Sequence, residues 1–132
     1  MEKQNEISLN IGDYTLIVSK AHEVHGHDDS LPYNANFEVF KNNKLYVSGR
    51  AWNDGWGGTS VVEPNNVEDN DKLIEFDNLC KKTIVFKWHD REIPLGIDDT
   101  IDILAELLIF HKDKVNGHLY TSKEINFYLS QP

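Results

Sequence analysis

A single cysteine, Cys80, occurs among the 132 residues. An internal disulfide is excluded, which fits a reducing compartment and an expected cytoplasmic location. Long apolar runs are missing as well. None approaches the ~20 residues that cross a bilayer, and the opening MEKQNEISLN lacks the apolar centre of a signal peptide. Basic residues are scarce: 13 Lys and Arg stand against 22 Asp and Glu, a net charge of −9. A protein that tracks a phosphate backbone, or docks on an anionic membrane, needs the opposite balance. Direct nucleic-acid binding and membrane association are therefore not expected. Internal repeats, low-complexity stretches and a G-x-S-x-G nucleophile elbow are also absent.

What remains is enough for one core. Hydrophobic residues are 39% and charged residues 27% of the chain, and the length suits a single domain over residues 1–132. Ile7, Leu9 and Ile11 alternate with polar residues as in a half-buried strand, Gly12-Asp13 marks a turn, and Tyr14–Val18 is a second β-rich run. Residues 20–34 break the pattern and read as a loop. Residues 35–40 and 44–52 alternate again around Asn42-Asn43, residues that tolerate the positive φ of a two-residue hairpin turn.

The second half changes period. Asn70 or Asp71 is placed to cap a helix with Leu73, Ile74, Phe76, Leu79 and Cys80 on one face. Thr83–Trp88 and Arg91–Ile97 read as a further hairpin, with His89-Asp90 in its turn. Asp98 or Asp99 would cap a strongly apolar helix carrying Ile101, Leu104, Ala105 and Leu108, closed by Lys112 and Lys114 and ended at Gly117. Residues 121–130 carry two signals. Thr121 and Glu124 have capping-box spacing, whereas Ile125, Phe127 and Leu129 alternate as a strand would; the aromatic content tips the reading to strand. The fold expected is α+β, an antiparallel sheet of N-terminal hairpins covered on one face by two helices.

Two local features carry possible chemistry. His22, His25 and His27, followed by Asp28, offer three imidazoles and a carboxylate in one loop. Those are ligands suited to a divalent transition metal such as zinc. Their spacing matches no standard structural zinc motif, so the favoured reading is a solvated polar loop, with metal or small-ligand binding as the alternative. The run Trp52, Asn53, Asp54, Gly55, Trp56, Gly57, Gly58 places three glycines in the four positions 55–58 and holds two tryptophans. A phosphate loop would need a helix immediately after it, and usually a Lys. Here Val61-Val62-Glu63-Pro64 follows. The favoured reading is a structural turn, with a ligand or partner contact as the alternative. No residue is assigned a catalytic role, and Cys80 is read as a small core hydrophobe.

Lys44–Ala51, Asn53–Gly58 and Asp99–Leu108 together resemble small uncharacterised proteins of bacterial and phage genomes, in which a strand runs into an NDGxGG turn. The resemblance implies an accessory, mobile-element or host-interaction role and no particular activity. The residues favour a non-catalytic module that binds a protein. From Glu63 to Asp77 there are six acids and one Lys, a surface able to steer a basic partner.

Overall fold

The computed structural model describes residues 5–27, 29–58 and 60–130. Strands β1 (Glu6–Ile11), β2 (Tyr14–Glu23), β3 (Tyr33–Lys41), β4 (Lys44–Asn53) and β5 (Val61–Pro64) form consecutive antiparallel pairs. A 3₁₀ turn (Val67–Asp69) leads into α1 (Asn70–Thr83). Then come β6 (Val85–Trp88), β7 (Arg91–Pro94), α2 (Ile97–Phe110), a single turn α3 (Lys112–Val115), β8 (Leu119–Thr121) and α4 (Ser122–Leu129). The main sheet runs β5-β4-β3-β2-β1-β8, with β8 joined parallel to β1. β6 and β7 make a separate two-stranded sheet. The fold is α+β, as the sequence implies.

Alternation puts Ile7, Leu9, Ile11, Leu16, Val18, Phe37 and Val39 on one face, all buried. Against that face α2 lays Ile97, Ile101, Leu104, Ala105 and Leu108, with Phe76 and Cys80 of α1 beside it. Each fully buried Leu, Ile or Phe stabilises by roughly 1.5–3 kcal/mol. Ser8, Asn10, Ser19, Asn36, Glu38, Ser48 and Arg50 alternate out of the core onto the opposite, polar face.

Several local expectations are corrected. Residues 122–129 form a helix, not a strand. Thr121 Oγ1 accepts from the Glu124 N–H (3.1 Å), and the Glu124 carboxylate accepts from the Thr121 N–H (3.0 Å). That reciprocal cap satisfies two donors which a strand would have to pair elsewhere. Only Ile125 of the alternating apolar residues is buried, and Phe127 is 68% exposed. The apparent period-two signal was therefore not a core pattern. Residues 20–23 and 33–34 are strand rather than loop, so the connection shrinks to 24–32.

Helix ends also differ from the local reading. Asn70 opens α1 as its first residue, and Ile74 is exposed, which narrows the apolar stripe. Asp98 and Asp99 lie within the first turn of α2; its N-cap residue is Gly96. The Ile97 N–H donates to Asp77 Oδ1 of α1 at 2.8 Å, a cap supplied by a neighbouring helix. α2 stops at Phe110, with Lys112 and Lys114 in α3. The small hairpin is shorter than expected and stands outside the main sheet. Asn126 of α4 occupies its β6 edge, accepting from the Val85 N–H (3.0 Å) and donating to the Thr83 carbonyl (2.9 Å).

Candidate functional site

Antiparallel pairing carries the two sequence features to one place. His22 pairs with Asn34, Asn34 with Trp52, and Tyr33 with Asn53. The connection 24–32 and the glycine turn thus leave the same end of the sheet. Beyond the strand ends their backbones bond directly. The His27 N–H donates to the Asp54 carbonyl (2.9 Å), while those of Asp29 and Ser30 converge on the Gly55 carbonyl (2.9 and 3.1 Å).

Asn53 organises this junction. Its side chain is buried, and its Oδ1 accepts from the Gly55 N–H (2.7 Å) and from Ser30 Oγ (3.1 Å). Its Nδ2 donates to the Gly58 carbonyl (3.1 Å). One amide thereby closes an Asx turn and ties it to the other loop. Ser30 Oγ also accepts from the Gly57 N–H at 3.2 Å. Gly55 has φ +89°, and a Cβ there would run into the His27 carbonyl. A Cβ on Gly26 would lie 2.6 Å from the Asp54 carbonyl oxygen. Both glycines are required by the close approach of the two chains.

The expected site residues take separate stations. Trp56 stands at the tip, 63% exposed, its ring stacked on His27 with centroids 3.7 Å apart and planes at 37°. Asp54 is exposed and accepts from the Trp56 N–H at 3.1 Å. Gly57 and Gly58 are exposed. Trp52 lies on the polar face of β4, half-buried, with the Arg50 guanidinium 5.8 Å from its ring centre. His22 is on β2, its Nδ1 2.9 Å from the Lys20 carbonyl; the Nδ1–H tautomer makes this a donated bond. His25 is exposed, and Asp28 lies outside the described residues. Among the described residues no three His, Cys, Asp or Glu side chains are grouped to hold a metal ion.

Beside the junction lies a cleft of about 540 Å³ between the 24–32 loop and α2, with Glu23, His25, Leu31, Pro32, Glu106 and Phe110 in its walls. Burial raises the Glu106 carboxyl pKa, and the nearby Asp102 charge adds to the effect. Phe110 is 62% exposed at its mouth.

Sequence reasoning missed one buried chain of polar groups. Tyr33 Oη and Ser60 Oγ are 2.6 Å apart, and Ser60 Oγ donates to Asp102 Oδ1 at 3.0 Å. Since Ser60 has one proton and gives it to the carboxylate, Tyr33 is the donor to Ser60. Burial raises the Tyr33 hydroxyl pKa. Burial also raises that of Asp102, opposed by the Ser60 bond and reinforced by Asp98. The chain links β3, the end of the glycine turn and α2, with Ser60 5% exposed. The one available signal was Asp102 itself, an acid at the edge of the apolar stripe and too deep in the helix to cap it. Cys80 is fully buried. Its thiol is pushed up to about 12 by burial, with Asp77 adding, so it stays protonated and packs as a small hydrophobe.

Comparison with known proteins finds no matching family model, no matching curated protein and no matching solved structure.

Proposed function

We propose that this protein is a non-catalytic, cytoplasmic binding module that engages a protein partner through the joined loops at this end of the sheet. Trp56 is the anchor. The observation that carries the reading is a large, exposed aromatic held in place by stacking on His27, above a turn fixed by Asn53. An anchor ordered before binding loses little conformational freedom when it docks, and Trp is prominent among residues that dominate interface energies. The neighbouring cleft, with Glu23 and Glu106 in its walls and Phe110 at its mouth, suits a Lys or Arg side chain, whose stem packs on apolar surface while its charge meets carboxylate. A net charge of −9 steers such a basic partner towards the protein. An accessory or host-interaction role is compatible with this chemistry.

A photo-crosslinking residue at the exposed position 58, where an added side chain meets nothing within 4 Å and Trp56 is kept, compared with one at the exposed Trp88, tests the reading. The partner is expected to crosslink from position 58 and not from position 88. With the purified partner, Trp56→Ala should weaken binding roughly tenfold or more while leaving the circular dichroism spectrum unchanged. Rising salt should slow association. Equal affinity of the folded Trp56→Ala protein, or crosslinks confined to position 88, would refute the proposal.

A further inference from the structure

We infer that the uncovered face of the sheet holds a second binding site, for a sugar that carries one anionic group, a carboxylate or a phosphate. This site is separate from the loop junction, and neither reading depends on the other.

The site begins with a break in β2. Pairing with β3 is regular up to Ser19↔Asn36 and resumes at His22↔Asn34, so Lys20 and Ala21 share a single partner position. Lys20 takes φ +54°, a left-handed conformation rare for a residue with a Cβ. The bulge is pinned on both sides. The Lys20 N–H donates to the Asn5 carbonyl (2.9 Å), and the Lys20 carbonyl receives the His22 Nδ1–H. Strict alternation would turn Lys20 into the core. The bulge instead keeps Ser19 and Lys20 together on the solvent side and returns Ala21 inward, where it is buried.

Lys20 thereby lines a trough of about 420 Å³ with Ser19, Asn36, Ser48, Arg50 and Asn65. Register places Ser19, Asn36 and Arg50 in one row across three strands. Among the described residues neither Lys20 nor Arg50 is in an ion pair, although the chain has an excess of nine negative charges. Two cations left together on one face of an acidic protein attract an anion, and the Arg fork suits a planar carboxylate or a phosphate. Glu38 also lines the trough. It would repel a bare oxyanion, but it accepts hydrogen bonds from hydroxyl groups. Two amides, two serine hydroxyls, one carboxylate and two cations match a polyol with one charged end. The volume limits the ligand to about one or two sugar rings.

The test is a ¹⁵N–¹H NMR titration of the full chain with glucose 6-phosphate, glucuronate, glucose and inorganic phosphate. At least one anionic sugar should bind in the millimolar range or tighter and shift the amides of Ser19, Lys20, Asn36, Ser48 and Arg50. Glucose and inorganic phosphate should each bind roughly tenfold more weakly. The tighter of glucose 6-phosphate and glucuronate identifies the charged group. Lys20→Gln and Arg50→Gln should each weaken binding roughly tenfold, with the remaining spectrum unchanged. No shifts at about 20 mM of either anionic sugar, shifts confined to other surfaces, or undiminished binding by folded Arg50→Gln would overturn the proposal. Inorganic phosphate binding as tightly as glucose 6-phosphate would overturn its sugar component.

Discussion

The two ends of the main sheet are closed by different means. At one end the chain reverses through Gly12-Asp13 and Asn42-Asn43, two tight two-residue turns joined by a single backbone bond from the Asn42 N–H to the Asp13 carbonyl (3.0 Å). Asn42 and Asn43 have φ of 51° and 68°, values that Asn accepts at little cost. Aromatic side chains there are half-buried and engage a helix. Tyr14 and Tyr46 meet edge-on at 5.5 Å, and their hydroxyls donate to the two oxygens of Glu75 on α1 at 3.4 and 2.8 Å. The other end is closed by two irregular segments, of which the glycine turn has local bonds from Asn53 and Asp54 and both are tied to each other. Each holds the other through Asn53 Oδ1, Ser30 Oγ and the carbonyls of Asp54 and Gly55. Its aromatic, Trp56, faces solvent. Local turn chemistry leaves a hairpin end free to hold a helix, whereas a cross-braced pair of loops can present a fixed side chain outwards.

That contrast can be broken most severely at Gly55. Gly55→Ala should cost about 2–4 kcal/mol in denaturant unfolding, from left-handed backbone strain and the clash with the His27 carbonyl. Asn53→Ala leaves the Gly55 N–H and Gly58 carbonyl without this partner, and should cost about 2–3 kcal/mol. In both variants Trp56 fluorescence should shift as its stacking on His27 loosens.

Asp102→Asn sharpens the comparison through pH. The native carboxyl titrates above the ordinary 3.8, chiefly because it is buried. Between 3.8 and its native value the folded state binds more protons than the unfolded one, so this group's ionisation lowers stability as pH rises. Asn keeps an acceptor for Ser60 and carries no charge. The variant should melt slightly higher than the parent at pH 7, and the difference should shrink as pH falls towards 4. A variant that melts lower at pH 7 would mean the charge itself holds Ser60. The smallest effect is expected at the opposite end. Asn43→Gly should raise stability by about 0.5 kcal/mol or less, because glycine meets the positive φ at position 43 without strain and no side-chain bond of Asn43 is lost among the described residues.

Much of the fold was legible because its signals are local. Alternation of Ile7, Leu9 and Ile11, the Asn42-Asn43 turn and the apolar stripe of α2 each depend on residues within a few positions. Where two local signals competed, at 121–130, a pair of hydrogen bonds prevailed over an alternation that buries only Ile125. The candidate site was legible only as two unrelated stretches. Trp56 and His27 were both singled out, but their stacking depends on strand register across β2, β3 and β4.

Composition and periodicity alone determined that this is an acidic α+β protein with short turns at one end and irregular loops at the other. Such properties depend on residue type and near-neighbour spacing. Only the tertiary structure decided that the histidine loop and the glycine turn are one junction. It also decided that Asp77 caps a helix in which it has no part, and that a bulge turns Lys20 onto the open face beside Asn36. Hydrogen bonds are short-ranged in space and indifferent to separation along the chain. The partners of a buried amide or a strained backbone are therefore fixed when the sheet registers, and not before.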